Sequence, residues 1–223
     1  MSEKPDASKM PSEPVTPRMN TDGTNPSRTG LMVLPGVTLF PHSLLPLYIF
    51  EERYRDMLGE ALRGDRMFGI AHAGDDGEVA AIGGLGVVRA CVANEDGTSN
   101  LILQGIARVT FSKLNMEPYP QADISIMPDV GDDEPLGELR KEIDEACLRM
   151  RAAGMESPQG FDQYLAQIVS YGAFADAVAS AFVIDPAERR GLLEECHVGT
   201  RMNRLLRCLL RQFLLETEGT PDL

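Results

Sequence analysis

The sequence predicts an α+β protein, in which a β-rich N-terminal subdomain precedes a C-terminal helical bundle. Residues 31–127 are rich in Val and Ile and are divided by glycine and Asp-Gly turns, a pattern typical of strands. Residues 135–216 carry apolar side chains at helical spacing. Residues 128–134, PDVGDDE, predict an acidic, solvated linker between the two parts. At 223 residues and 43% hydrophobic content, the chain can fill both cores.

The two ends of the chain predict tails. Residues 1–30 contain five prolines among mostly polar residues and almost no large aliphatic side chains. Such a segment buries too little apolar surface to offset the entropy lost on ordering, which predicts disorder. We expect a short C-terminal tail at residues 217–223.

The β-rich part opens with the stretch LPGVTLFPHSLLPLYIFEERYRDML, residues 34–58. Its apolar side chains are too dense for a simple amphipathic strand. Its prolines predict short strands and sheet edges, because proline cannot donate to a central hydrogen-bond ladder. An amphipathic helix is predicted over residues 51–63, with Gly64 as its stop and a strand following over residues 67–73. The predicted buried stripe of this helix is Tyr54, Met57, Leu58, Ala61 and Leu62.

Residues 79–114 predict a hairpin of two β-rich arms joined at Asp96-Gly97. The glycines at 83, 84 and 86 lie inside the first arm. They indicate a bulge, tight curvature or close backbone approach, because no helix follows them as a phosphate-binding fingerprint requires.

The C-terminal part predicts four or five helices. Three apolar stripes and a longer fourth one are expected to face the core: Leu136, Leu139, Ile143, Ala146, Cys147 and Met150; Phe161, Tyr164, Leu165, Ile168 and Val169; Phe174, Ala177, Val178, Ala181 and Phe182; and Met202, Leu205, Leu206, Leu209, Leu210, Phe213 and Leu214. Asp185-Pro186-Ala187-Glu188 predicts a helix start with an N-cap and a capping box.

No residue set in the sequence predicts catalysis, a metal site or a cofactor. His42, His72 and His197 lack the third, orienting group that nucleophilic catalysis needs. HAGDDGE, residues 72–78, has the composition of a turn and lacks the spacing of a calcium loop. Neither GxxxxGK[ST], GxSxG nor HExxH occurs.

Charge and cysteine usage predict a cytoplasmic protein that binds neither nucleic acid nor membranes. The net charge is −13, and an acidic surface repels phosphate backbones and anionic lipid heads. Cys91, Cys147, Cys196 and Cys208 are scattered without paired spacing, which indicates reduced thiols. No secretory signal or long apolar span is recognisable. The oligomeric state stays open.

The opening stretch resembles the start of the Lon protease N-terminal, or substrate-binding, domain family. Residues 84–111, which span the predicted hairpin, are similar to a further family segment built on glycines and one arginine. The matching positions are Leu34-Pro35, Leu39-Phe40-Pro41, Leu45-Pro46-Leu47, Ile49-Phe50-Glu51 and Arg53-Tyr54-Arg55 in the first segment, and Gly84 or Gly86, Asp96-Gly97, Gly105 and Arg108 in the second.

The resemblance implies a PUA-like β-barrel or β-rich subdomain followed by a helical bundle. It also implies a stand-alone Lon-domain protein without the ATPase and Ser-Lys peptidase modules of Lon proteases, and therefore a non-enzymatic module. We expect such a module to bind unfolded or apolar polypeptide segments or a partner protein through a sheet edge or an apolar groove. Phe40, Tyr48 and Phe50 are the candidate binding residues.

A second hypothesis is a small-molecule-processing or hydrolytic enzyme with a site between the two subdomains, since clefts between domains often hold ligands. His42 and Cys196 would be its reagents. Alanine substitutions at these positions that leave any turnover unchanged would remove this hypothesis.

Overall fold

The computed structural model describes residues 28–74 and 77–218, with side chains to residue 215. In these ranges six strands and six helices follow each other along the chain. The strands are β1 (Arg28–Leu34), β2 (Leu44–Ile49), β3 (Met67–Ala73), β4 (Val79–Ala93), β5 (Ser99–Asn115) and β6 (Gln121–Met127). The helices are α1 (Glu52–Arg63), α2 (Gly137–Ala152), α3 (Phe161–Gln167), α4 (Tyr171–Phe182), α5 (Pro186–Glu194) and α6 (Val198–Glu218). The α+β prediction is confirmed.

Five of the strands close into a barrel. They pair in the ring β5-β4-β3-β1-β6, and β6 returns to β5. Only β1 and β3 run parallel, joined by a crossover that contains β2 and α1. The 17-residue β5 makes closure possible, because its first half pairs with β2 and its second half with β6 on the same side. Strand β2 pairs with β5 alone and therefore ends the sheet.

The chain boundaries differ from the expected tails at one point. Strand β1 begins at Arg28 and pairs with β6 through Arg28, Thr29 and Gly30, so these three residues belong to the barrel. The remainder of the predicted N-terminal tail, residues 1–27, and the last five residues of the predicted C-terminal tail lie outside the described residues.

Two apolar clusters fill the β-rich half. Helix α1 buries Tyr54, Met57 and Leu58 against one cluster, which confirms the stripe predicted for it. The other cluster lies among the strands and includes Leu31, Val109 and Phe111.

The loop before β2 presses directly on the barrel strands. A Cβ atom on Gly84 would lie 2.2 Å from the carbonyl oxygen of Leu39, and one on Gly105 would lie 2.0 Å from that of Phe40. Glycine is therefore required at both positions. The close backbone approach was predicted for Gly84, in the first arm, and not for Gly105, which lies in the second. The loop is held further by a hydrogen bond from the backbone N–H of His42 to the carbonyl of Gly105, 2.8 Å long.

Five helices, α2 to α6, form the C-terminal half around a third cluster that includes Ile143, Phe174 and Met202. Most of the predicted stripes face this core, but Val169 is 90% exposed and Leu210 and Leu214 are exposed as well. Helix α3 ends before Val169, because Ile168 adopts an extended conformation and Ser170 caps the next helix.

At the start of α5 the predicted N-cap is present, but the predicted capping box is not. The Asp185 carboxylate accepts a hydrogen bond of 2.8 Å from the backbone N–H of Glu188, as an N-cap does. The Glu188 side chain does not complete a capping box. It accepts hydrogen bonds from Arg204 and Arg211 instead and so ties α5 to α6.

Five of the seven residues of the predicted acidic linker are exposed, and the segment is also anchored to the helical half at two points. The Asp132 carboxylate accepts a hydrogen bond of 2.6 Å from the backbone N–H of Gly172, and Val130 forms a parallel β-bridge with His197. The free N–H groups at the start of α4 attract the carboxylate, which fixes this segment.

Candidate binding surface

The outer face of β2, β5 and β4 carries successive rows of apolar side chains. Successive residues of a strand point to opposite faces, so paired residues two apart share one face. One row is Tyr48–Asn100–Val92 and the next is Pro46–Ile102–Ala90. The alternate residues of β5, Leu101 and Leu103, are buried on the inner face. Strand β2 is therefore apolar on both faces, which explains the density of its sequence.

These rows line an open apolar groove of about 410 Å³. Its lining residues are Pro46, Leu47, Tyr48, Ala90, Val92, Asn100, Leu101 and Ile102. Tyr48 and Phe50 stack at one end with ring centroids 5.9 Å apart and are more than half exposed, as is Val92. Contiguous exposed apolar side chains mark interaction sites more often than isolated ones do. We call this groove and its flanking Leu44 and Phe50 the β2 surface.

The structure removes Phe40 from the candidate binding residues. Phe40 is fully buried and packs into the core of the helical half, where the Arg189 guanidinium lies 5.4 Å from its ring centroid. Its backbone is fixed by the contact with Gly105, so the ring points away from the β2 surface. Tyr48 and Phe50 remain.

Most other family-motif positions around α1 have structural roles. Glu51 caps α1 by its backbone and pairs with Arg53, with 2.7 Å between Nη2 and Oε2. The Arg53 guanidinium lies over the Tyr54 ring, and the buried Tyr54 hydroxyl approaches the backbone of Val33. Gly97 forms the β4–β5 turn with φ 81°.

The three prolines of the motif lie in different surroundings. Pro35 is exposed in the turn after β1. Pro41 is buried in the loop before β2, and Pro46 is exposed in β2. Because β2 is an edge strand, Pro46 is tolerated there, in agreement with the sequence-based prediction. Leu47 next to it is half-buried and packs inward.

A buried ion cluster joins the two halves of the chain. Arg108, on β5, donates to the Asp176 carboxylate of α4, to Asp129 at 3.1 Å and to the carbonyl of Leu193 at 2.9 Å. Arg201, on α6, donates hydrogen bonds of 2.9 and 2.7 Å to the two carboxylate oxygens of Asp129. Such paired, charge-assisted hydrogen bonds are the strong kind.

Three members of this cluster are among the most buried charges in the described residues, whereas the Asp129 side chain is partly exposed. Arg108, Asp176 and Arg201 are 1–3% exposed. Burial raises the pKa of Asp176, although the Arg108 and Arg201 guanidinium groups act in the opposite direction. We interpret the cluster as a structural link, because its hydrogen bonds join β5 to α4, α5 and α6 through Arg108, Asp176, Asp129 and Arg201.

The sequence contains a signal for this cluster that apolar periodicity alone does not reveal, namely charged residues at buried helix positions. Asp176 stands in the otherwise apolar helix YGAFADAVASAF, and Arg201 lies on the buried stripe of α6 next to Met202. Charged residues are almost never buried without a partner, so both positions predict buried ion pairs. Arg108 was recognised only as a family-motif position.

The structure does not bring the histidines and cysteines together as reagents. His42 is exposed in the loop before β2, His72 Nδ1 accepts a hydrogen bond of 3.3 Å from Gly36, and His197 Nε2 lies 3.4 Å from Glu134. All four cysteines are free thiols. Burial raises the pKa of the Cys196 thiol and raises that of Cys147 to about 12, which disfavours the nucleophilic thiolate.

Within residues 28–74 and 77–218, no three His, Cys, Asp or Glu side chains are arranged to hold a metal ion. Asp75 and Asp76 of the HAGDDGE turn lie outside these ranges. In the same ranges, every helix is too short or too polar to span a bilayer.

Comparison with known proteins identifies a family. Residues 30–211 match the family described as the ATP-dependent protease La (LON) substrate-binding domain. Among curated relatives, the Lon protease of Desulfosudis oleivorans is 24% identical over 213 residues, covering 90% of this chain and 26% of the relative. The Lon protease of Azorhizobium caulinodans is 25% identical, covering 79% and 22%. The chain thus spans about a quarter of the length of these relatives.

Solved structures show the same fold. The N-terminal domain of the Mycobacterium avium complex Lon protease superposes with a TM-score of 0.68 at 17% identity, covering 82% of this chain and 98% of that one. A Lon N-terminal domain protein from Xanthomonas campestris gives 0.62 at 20% identity, covering 81% and 97%. With the family match over residues 30–211, the closed barrel and the helical half, the chain belongs to the Lon substrate-binding domain family.

Proposed function

We propose that this chain is a non-enzymatic module that binds unfolded or apolar polypeptide segments on the β2 surface. The observation that carries the proposal is the row of exposed apolar side chains across β2, β5 and β4, which lies on a scaffold whose family is a substrate-binding domain. Buried aromatic anchors dominate polypeptide binding energies, and Tyr48 and Phe50 are available for this role.

Binding by this surface requires little rearrangement. The groove is open and its floor is a rigid three-stranded ladder. An extended segment could place alternate side chains into the groove, as peptides do on other sheet proteins. Because Pro46 interrupts the free edge of β2, we expect recognition to depend on side chains more than on a continuous backbone ladder.

The experiment titrates fluorescently labelled, unfolded polypeptides and an apolar peptide array against the purified chain. We expect binding tighter than about 100 μM, which corresponds to roughly −5.5 kcal/mol. The double substitution Tyr48→Ser with Phe50→Ser should weaken binding by about tenfold or more, since exposed aromatic anchors contribute about 1–2 kcal/mol each.

A matched control is Leu148→Ser, which removes a comparably exposed apolar side chain from α2, outside the β2 surface. Its affinity should equal that of the unmodified chain. Absence of any binding tighter than 100 μM, or equal loss in the control and the double variant, would remove the proposal. Titration of RNA at low salt, where phosphate contacts are strongest, checks that the acidic chain selects polypeptide.

The alternative of a hydrolytic site is not favoured by any contact. Its two candidate reagents are an exposed loop histidine, His42, and a thiol, Cys196, whose pKa is raised by burial. We therefore propose no catalytic role.

A further inference from the structure

A β-bulge turns one arginine toward the β2 surface. The register between β4 and β5 shifts between Val88 and Ala90, which leaves Arg89 as the extra residue. Bulges re-aim side chains and are frequent next to functional sites. Here the Arg89 Nε donates a hydrogen bond to the Gln104 side chain.

Gln104 places Arg89 on the groove face of the sheet. Asn100, Ile102 and Gln104 are alternate residues of β5 and point outward together, since Leu101 and Leu103 between them are buried. The Arg89 guanidinium consequently ends the line of apolar rows, one row beyond Pro46–Ile102–Ala90. Two residues of a strand span about 6.8 Å, so the Gln104 backbone that holds Arg89 lies about that distance beyond Ile102.

The charge at this position contrasts with the rest of the chain. The net charge is −13, yet among the described residues no carboxylate oxygen lies within 4.0 Å of the Arg89 guanidinium. Gln104 accepts from one of its five N–H donors, and the Arg89 residue is partly exposed. An apolar groove with a cationic end is complementary to an apolar segment that carries a carboxylate.

We propose that the β2 surface selects extended segments in which an acidic side chain, Asp or Glu, lies two residues beyond a pair of apolar side chains, and that Arg89 binds this carboxylate. This inference rests on the proposed function and names its substrate class. The spacing follows from the sheet, because an extended ligand repeats its side chains on one face at the same interval of about 6.8 Å as the rows beneath it. The groove is open, so we assign the carboxylate to a side chain within the segment.

The test uses acetylated and amidated peptides of the forms S-F-S-L-S-E-S and S-E-S-L-S-F-S, which cover both directions along the groove. Each is compared with its Glu→Gln form and with a peptide whose only carboxylate is a free C-terminus after the apolar pair. We expect the Glu peptide of one direction to bind about twofold to fivefold more tightly than its Gln form, the range of a partly exposed ion pair.

Two protein variants assign this preference. Arg89→Gln should abolish the Glu-over-Gln ratio, and Arg89→Glu should reverse it in favour of a Lys-bearing peptide. Arg207→Gln, at an exposed position of α6, is the matched control and should keep the ratio. Thermal unfolding of each variant checks that loss of the Gln104 contact leaves the fold intact.

The possible failures can be told apart. If peptides bind but Arg89→Gln keeps the Glu-over-Gln ratio, the inference is wrong while the proposed function stands. Tighter binding of the free C-terminal peptide than of the Glu peptide would also overturn it, because the carboxylate would then come from a chain end. If no peptide binds even to the unmodified chain, the proposed function itself fails.

Discussion

Asp176 is the residue on which the link between the barrel and the helices most depends. It receives Arg108 from β5 and faces Arg201 of α6, whose Nε lies 3.4 Å from it. This Nε has no hydrogen-bond partner of its own among the described residues. The carboxylate therefore balances two guanidinium groups that have almost no access to water.

Asp176→Leu should destabilise the chain by about 3–5 kcal/mol, because it leaves buried arginine charge short of a partner. Urea denaturation with an unchanged slope would measure this loss as a lower midpoint. Asp162→Asn is the control. Asp162 pairs with Arg151 at the surface, with its side chain 67% exposed, and its substitution should cost less than about 1 kcal/mol. Equal losses in both variants would contradict a special role for the buried cluster.

At the scale of elements, the loop between β1 and β2 is positioned by close backbone approach. Gly105 lets the carbonyl of Phe40 reach the surface of β5, and this contact sends the Phe40 ring into the helical core. One glycine on a strand thereby decides how a neighbouring loop enters the second half of the molecule.

Gly105→Ala should destabilise the chain by about 1–3 kcal/mol, since its methyl group would overlap backbone that cannot shift freely. Gly59→Ala offers the opposite case. Gly59 lies inside α1 with no atom within 4 Å of an added Cβ, so this change should stabilise the chain by about 0.5–1 kcal/mol. Thermal unfolding of the two variants should give melting temperatures on opposite sides of the unmodified value. A melting temperature of Gly105→Ala at or above that of the unmodified chain would refute the close approach.

At the scale of the whole molecule, acid stability should depend on the contact between α5 and α6. Hydrogen bonds from Arg211 and Arg204 lower the pKa of Glu188 from its ordinary 4.5 to about 2 in the folded chain. A carboxyl group with a lowered folded pKa stabilises the fold above its unfolded pKa, and this contribution is lost as the pH falls from about 4.5 toward 2.

Glu188→Gln should therefore flatten the fall in the unfolding midpoint over this pH window. It should also lower the midpoint at pH 7, where the unmodified chain has the full contribution. Glu138→Gln, an exposed substitution on α2 whose side chain is 84% accessible, should leave the pH profile unchanged. Identical profiles for Glu188→Gln and the unmodified chain would show that the contact between α5 and α6 does not set acid stability.

The sequence allowed the fold to be predicted well where the signals are local. The stripe of α1, the Asp96-Gly97 turn and the cap at Asp185 depend on neighbouring residues, and each is confirmed. The barrel was predicted from the family resemblance rather than from local signals. Contacts between distant residues could not be predicted, such as the pairing of Arg108 with Asp176, 68 residues away.

The candidate surface was predicted only in part, also for a physical reason. Tyr48 and Phe50 were recognisable from the dense apolar stretch, and the same pattern led to Phe40, which the structure buries. Whether an apolar residue of such a stretch lies inside or outside depends on register and loop path. Ile102 joins this surface because β5 pairs with the distant strand β2, and Val92 joins it through the register of the β4–β5 hairpin.

Strand β5 connects the β2 surface to the helices as a mechanical element. Its first residues lie under the groove, and Arg108, four residues after Gln104, is held by hydrogen bonds to α4 and α5. A pull on a captured polypeptide along the strand direction would load the β5 ladders in shear, so many hydrogen bonds would resist together. The force would reach the helical half through the Arg108 guanidinium, without first peeling the barrel open.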